Sequence, residues 1–337
     1  MIVEHADLQS GSRNPIDAPG QFELRLEVPR PFAFGELLSF LAVRAVPGVE
    51  RSGPGWYERS LRLPHGQGAV RFLADLTEPD STGRTEDTTV VTCLLWLRDP
   101  RDVSAAEQRC RQLLNADADP VAVDAVLSTD PRLAPLVSTR PGLRVPGHVD
   151  GNELAIRAVL GQQVSVGHAR ALAGLLVERY GEPLDAMAAI GDPNHSPEVT
   201  HLFPTADVLA VVDPEDIPMP RARGRALNSL CTELASGQIR LDRSADRIDV
   251  RDSLLALPGI GPWTAGYIAM RALGDADAFL PTDIGVRNAL KLLGENPKDA
   301  EQLSQAWRPW RSHAQMHLWA SLVPTPIGSP RSPTKGR

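Results

Sequence analysis

DSLLALPGIGPWTAGYIAMRAL, residues 252–273, is the stretch on which the reading of this chain turns. SLLAL is apolar at helical spacing, PGIGP interrupts it, and TAGYIAMRAL resumes a helix. Pro262 suits a first helical position, where its missing N–H would have no partner anyway. Gly259 and Gly261 accept positive φ and leave backbone N–H groups uncovered by side chains. Two helices joined by such a turn aim several free N–H groups and the positive end of a helix dipole at one point, which suits a phosphate oxygen. A plain helical hairpin would need the same glycines, so the next segment matters. GDADAFLPTDIGVRNALKLLG places Asp283 after a proline at the mouth of a further helix, 22 residues beyond Gly261. Alone, Asp283 reads as an N-cap; the two features together are far more specific than either.

Outward from the hairpin the chain divides. Residues 1–20 read as a disordered leader. FELRLEV alternates like a strand, PFAFGELLSFLAVRA reads as a helix opened by Pro31, and YERSLRL, AVRFLADL and TTVVTCLLWL read as three more strands. EPDSTGRTED links the last two. After Asp99 strands give way to helices, beginning with DVSAAEQRCRQLLN and continuing to about Leu322. STRPGLRVPGHVDG (138–151) marks the entry to a new helical unit, and PTPIGSPRSPTKGR reads as a disordered tail. The expected organisation is an antiparallel α+β domain over 21–115, an all-α helix–hairpin–helix domain over 116–323, and a tail over 324–337.

Composition narrows the classes. The 337 residues suit about two domains. Hydrophobic residues make up 42% and charged residues 23%, which excludes wholesale disorder. No apolar run approaches a membrane span and the N-terminus lacks a secretory pattern, so a cytosolic protein is expected. The net charge of −7 argues against non-specific coating of nucleic acid but leaves room for a local basic face. Cys93, Cys110 and Cys231 are too scattered for a zinc or iron–sulfur site.

LPGIGPWTA followed by FLPTD resembles the hairpin, glycine/proline loop and catalytic aspartate of the helix–hairpin–helix base-excision DNA glycosylases. VDGNELAIRAVLGQQVSVGHARALAGLLVERYGEPL and WRPWRSHAQMHLWASL are similar to segments of the bacterial 3-methyladenine glycosylase II (AlkA) family, and the leading α+β domain fits it as well, so the resemblance covers about residues 20–323.

The resemblance implies a repair enzyme that flips N-alkylated purines, of the 3-methyladenine and 7-methylguanine class, out of double-stranded DNA and hydrolyses the N-glycosidic bond. Asp283 takes the catalytic position, where a fixed carboxylate stabilises positive charge on the sugar. Trp263, Tyr267 and Trp319 would line the base pocket, the first two sharing a helix face; their electron-rich rings would favour a cationic base. Gln163, in the turn LGQQVS where the family carries an apolar residue, would fill the gap left by the flipped base. Gly259, Gly261 and Thr264 would present N–H groups to phosphate. Lyase-active relatives carry a hairpin lysine where this chain has Trp263, so a monofunctional, monomeric enzyme without cofactor is expected, with a monovalent cation at the hairpin carbonyls implied by resemblance only. A non-catalytic hairpin protein that recognises damaged DNA is the alternative, and Asp283 with the aromatic set argues against it. A methyl-accepting regulatory role would need a cysteine cluster that three scattered thiols do not make. Arg221, Arg223 and Arg225 read as a solvated helix face. His313 and His317 lack the glutamate and third ligand of a zinc motif, so no metal is expected there.

Overall fold

The computed structural model describes residues 2–3, 20–74, 87–185 and 199–323. The N-terminal part is an antiparallel sheet of β1 (Ile2–Val3), β2 (Gln21–Pro29), β3 (Glu50–Gly53), β4 (Trp56–Leu63), β5 (Gly66–Leu73) and β6 (Thr88–Leu97), in the order β1-β2-β6-β5-β4-β3. Alternation sets its faces: Leu24, Leu26 and Val28 of β2 point inward, as do Val91, Cys93, Leu95 and Leu97 of β6. Helices α1 (Phe34–Ala42) and α2 (Val103–Leu114) close that face, with Leu37, Leu41, Ala106, Cys110 and Leu113 sharing one core with the strands.

The remaining helices are α3 (Pro120–Leu127), α4 (Ala134–Thr139), α5 (Gly151–Leu160), α6 (Val166–Tyr180), α7 (Ala206–Ala210), α8 (Arg221–Ala235), α9 (Arg247–Ala256), α10 (Pro262–Arg271), α11 (Ile284–Leu292), α12 (Ala300–Ser304) and α13 (Arg311–Ser321). They enclose two large cores and a smaller cluster of Leu143, Val145, Met270 and Met316. One gathers α5, α6, α8, α9 and α10 around Ile156, Val159, Leu176, Leu230 and Ile268. The other gathers α3, α4, α11 and α13 around Leu127, Val286, Leu290, Trp307 and Leu318.

Several local expectations need correction. Ile2 and Val3 pair with Leu24 and Glu23, so the expected leader contributes a strand; residues 4–19 lie outside the described ones. Strands do not vanish after Asp99, because β7 (Glu182–Pro183) and β8 (His201–Leu202) form a two-residue ladder too short to show periodicity. β3 was not legible either, since ERSG has no apolar alternation. The linker EPDSTGRTED, apart from Asp87, and the tail from 324 onward lie outside the described residues.

A buried ionic network joins the sheet to the helices. Arg59 of β4 contacts Glu153 of α5 at 2.7 Å and Glu50 of β3 at 3.1 Å. Arg157 of α5 returns to Glu50 at 3.0 Å and Glu153 at 2.9 Å, and the Tyr57 hydroxyl donates to Glu50 at 2.6 Å. Two guanidiniums thus face two carboxylates. Removing one partner of such a set strands a buried charge at a cost of about 3–5 kcal/mol.

Candidate active site

The hairpin forms as its sequence dictates. α9 ends at Ala256, Gly259 sits at φ +85°, and Pro262 opens α10 with Gly261 as its N-cap. A Cβ on Gly259 would lie 2.7 Å from the Ala226 Cβ, so the turn is packed against α8 and admits no side chain. Around Gly261, by contrast, there is open space.

Between the two helical cores runs a cleft of about 370 Å³ lined by residues of α5, α6, α10, α11 and α13 together with Arg44 and Val46. Trp263, Tyr267, Asp283 and Trp319 all line it. Trp263 and Tyr267 stack in parallel, with centroids 5.4 Å apart and planes within 9°; Trp319 is tilted against Tyr267 at 6.4 Å. Among the described residues, Asp283 is the one carboxylate lining the cleft. It caps α11, its Oδ1 accepting the Val286 N–H at 2.9 Å and the Trp319 indole N–H at 2.8 Å. Its Oδ2 accepts the Trp263 indole N–H at 2.9 Å. A carboxylate has about four acceptor positions, so three donors fix its plane and leave one position, on Oδ2, for a ligand. The dipole of α11 further favours negative charge there. Gly285 makes this packing possible: a Cβ would lie 2.8 Å from Trp319 Cδ1 and 3.0 Å from Asp283 Oδ1.

Gln163 is exposed on the turn between α5 and α6, in the left-handed region at φ +56°. Its neighbour Gln162 donates through Nε2 to the Gly259 carbonyl at 3.0 Å and to Thr264 Oγ1 at 2.9 Å, tying this turn to the hairpin. Thr264 is 3% exposed and its Oγ1 is taken by Gln162, so it presents little surface of its own beside the turn. Arg223 departs from the expected solvated face, since its Nη1 donates to the Gln162 carbonyl at 2.6 Å; Arg221 stays exposed beside Glu215.

Sequence reasoning missed the basic wall of the cleft and the share of the N-terminal domain in it. Arg44, Arg157, Arg170 and Arg271 all line it. Phe40 of α1 stacks on Trp319 at 6.4 Å, and Arg44 covers the Phe40 ring at 3.7 Å. Phe40 and Arg44 are four apart, a helical spacing that offered the one available signal. Arg271 is 4% exposed and fixed by the carbonyls of Pro146 and Gly147, at 2.8 Å and 2.9 Å, and by the Tyr267 hydroxyl at 2.7 Å. Burial pushes the Tyr267 phenol up, but Arg271, Arg44 and Arg157 outweigh it and leave its pKa below the ordinary 10.

Other candidates resolve structurally. His313 and His317 are buried without protein hydrogen bonds, and burial holds them down to about 3 and about 4. Among the described residues one set of three potential metal ligands converges, Glu50, His148 and Glu153, but Arg59 and Arg157 already occupy its carboxylates. The three cysteines are buried free thiols. No helix among the described residues is long and apolar enough to cross a membrane.

Comparisons with known proteins agree on the architecture. The family described as the AlkA N-terminal domain matches residues 23–150. A probable bifunctional transcriptional activator/DNA repair enzyme AlkA of Mycobacterium tuberculosis is 46% identical over 307 residues; the match takes in 90% of this chain and 58% of that protein, so the chain spans little more than half of this relative. DNA-3-methyladenine glycosylase 2 of Escherichia coli is 32% identical over 294 residues, 86% of this chain and 94% of that protein. Among solved structures, a 3-methyladenine DNA-glycosylase from Archaeoglobus fulgidus superposes with a TM-score of 0.71 at 18% identity, over 88% of this chain and 97% of its own. A Clostridium acetobutylicum 8-oxoguanine glycosylase/lyase bound to double-stranded DNA reaches 0.59 at 18% identity, over 81% and 87%. At these identities the structural matches speak for the fold.

Proposed function

The chain belongs to the DNA-3-methyladenine glycosylase 2 (AlkA) family, and from that premise we propose that it removes N-alkylated purines from double-stranded DNA by hydrolysing the N-glycosidic bond. The observation that carries the reading is Asp283: a carboxylate fixed by three N–H donors, with one acceptor position left, in an aromatic cleft beside the hairpin turn.

The chemistry follows from that placement. As the bond between C1′ and the base breaks, positive charge builds on the sugar, and a preorganised carboxylate stabilises it by a factor of about 10²–10³ in rate. The free position on Oδ2 accepts the proton of a water that attacks C1′. Trp263, Tyr267 and Trp319 give the extruded base a stacking surface, and Gln163 fills the vacated place in the duplex. Extrusion costs a few kcal/mol, which those contacts offset. The N–H groups near Gly259, Gly261 and Thr264 hold a backbone phosphate without adding net charge, consistent with an acidic chain that binds DNA. No cofactor enters this chemistry; a monovalent ion at the hairpin would share the Gly259 carbonyl with Gln162. Trp263 offers no amine for a Schiff base, so the product is an intact abasic strand.

The test is release of methylated bases from alkylated duplex DNA, wild type beside Asp283→Asn. Asparagine is also a good N-cap, so α11 stays capped. Base release is expected to fall at least 100-fold, with lesion-DNA affinity held within about threefold, and borohydride is expected to trap no adduct with either protein. Full turnover by the variant would leave a DNA-binding protein whose chemistry lies elsewhere.

A further inference from the structure

We propose that Ser312 and Gln315 of α13 are positioning residues: they hold residues 272–283 in the register that delivers the Asp283 carboxylate to the cleft. This rests on the glycosylase reading above and asks what fixes its carboxylate in place.

Residues 272–283 join α10 to α11 through turns and extended backbone. The path of such a segment is set from outside, because its N–H and C=O groups need partners that no helix or sheet ladder gives them. α13 provides them. The Ser312 hydroxyl lies 2.7 Å from the Asp275 carbonyl and 2.8 Å from that of Ala278, sharing its one proton between them. The Ser312 N–H donates to the Ala276 carbonyl at 2.9 Å. Gln315 Oε1 accepts the Leu280 N–H at 2.8 Å, three residues before the carboxylate. The Trp319 indole then reaches Asp283 itself. At the start of the helix, Arg311 bonds the Asp277 carboxylate through Nε at 2.9 Å and Nη2 at 3.1 Å.

These contacts run in order. Residues 312, 315 and 319 are three and four apart, so they form one stripe along α13, and their partners advance with them from 275–278 through 280 to 283. The stripe works as a ruler against which the segment is laid. Its middle mark is the informative one. Ser312, Gln315 and Leu280 are all buried, Gln315 completely. Burying an amide side chain is unfavourable unless it is bonded, and Gln315 Nε2 meets the Met270 sulfur at 3.9 Å, a weak acceptor. Packing alone would be served by leucine; what the glutamine adds is an acceptor for the Leu280 N–H. Without it that N–H is left unpaired away from water, and the segment must shift to find a new partner.

None of these contacts touches the hairpin turn or the α5–α6 turn, the parts proposed to grip the duplex. The place of the carboxylate and the hold on DNA are therefore separable. A fault in the stripe slows bond breakage, by up to about 100-fold for a displacement of about 1 Å, and leaves binding intact.

The experiment measures two quantities: single-turnover release of 7-methylguanine from a duplex, and affinity for the same duplex carrying a tetrahydrofuran abasic analogue at that position. Gln315→Leu is expected to slow release about 10–100-fold, and Ser312→Ala at least about threefold, with affinity held within about threefold for both. Leu95→Ala, which opens a cavity in the sheet core, reports what lost stability alone does; its urea midpoint is expected to fall while its release rate stays within about twofold of wild type. Should Gln315→Leu fail to fold, Ser312→Ala carries the test. Wild-type rates in the α13 variants overturn the proposal, as does a loss of affinity in step with rate, or a slowing that Leu95→Ala matches. A wild type that releases no base overturns the glycosylase reading, and this proposal with it.

Discussion

Asp283 is a single side chain in which a structural role and the proposed chemistry meet. Capping α11 uses part of Oδ1, and the two indole N–H groups orient the rest. The smallest neighbour tests that arrangement. Gly285→Ala introduces a methyl 2.8 Å from Trp319 and 3.0 Å from Asp283, closer than real side chains tolerate, so Trp319 must give way. We expect a loss of about 10–100-fold in base release, the range for misplacing one group in a preorganised site, with a shift in tryptophan emission and little change in affinity for undamaged DNA. An unshifted spectrum with full activity would show that the Trp319–Asp283 bond is dispensable. The residues that the sequence offered for this site were legible because the motif places Asp283, Trp263 and Tyr267 within one stretch of chain. Arg44, Phe40 and Arg271 were not, because their partners are far away in sequence or are backbone carbonyls, and no spacing rule registers such contacts.

At the scale of elements, the hairpin and the α5–α6 turn act as one piece. Gln162 reaches Gly259 and Thr264, and Arg223 of α8 holds the Gln162 carbonyl. The residue expected in the duplex therefore stands at a fixed offset from the amides expected to hold phosphate. The two hairpin glycines separate packing from binding. Gly259→Ala forces a positive φ on alanine and a 2.7 Å contact with Ala226, so it is expected to destabilise the fold by at least about 1–2 kcal/mol. Gly261 has no atom within 4 Å of its would-be Cβ, so Gly261→Ala meets no clash and is expected to cost no more than about 1 kcal/mol, for the poorer N-cap of α10. Its methyl enters the space proposed for a phosphate, and DNA affinity should fall severalfold. Urea titration and fluorescence anisotropy read the two quantities separately; unchanged DNA binding by Gly261→Ala would move the phosphate site away from this turn. The hairpin was legible because proline and glycine punctuate helices strongly. β3, β7 and β8 were not, because two to four residues contain no period.

For the molecule as a whole, three buried histidines are expected to weaken the fold in acid. Burial lowers His148 well below its ordinary value, and holds His313 near 3 and His317 near 4. The unfolded chain takes up these protons near pH 6.5 while the folded chain does not. Stability is thus complete above about 6.5 and declines as pH falls toward the folded values, by on the order of 1.4 kcal/mol per pKa unit and site. The urea midpoint is expected to drop between pH 7.5 and 5, and a His313→Leu/His317→Leu variant to show a shallower slope. An equally steep decline in that variant would place the acid sensitivity on other groups.

The interlock of Arg59, Glu50, Glu153 and Arg157 has a consequence for how such proteins diversify. The sheet domain cannot be exchanged for a relative's by simple grafting, because its charges are matched to those of α5, and α1 brings part of the cleft wall with it. The two halves fit as a matched pair, and under the proposed function a change in what the cleft accepts can begin in the half that lacks the hairpin.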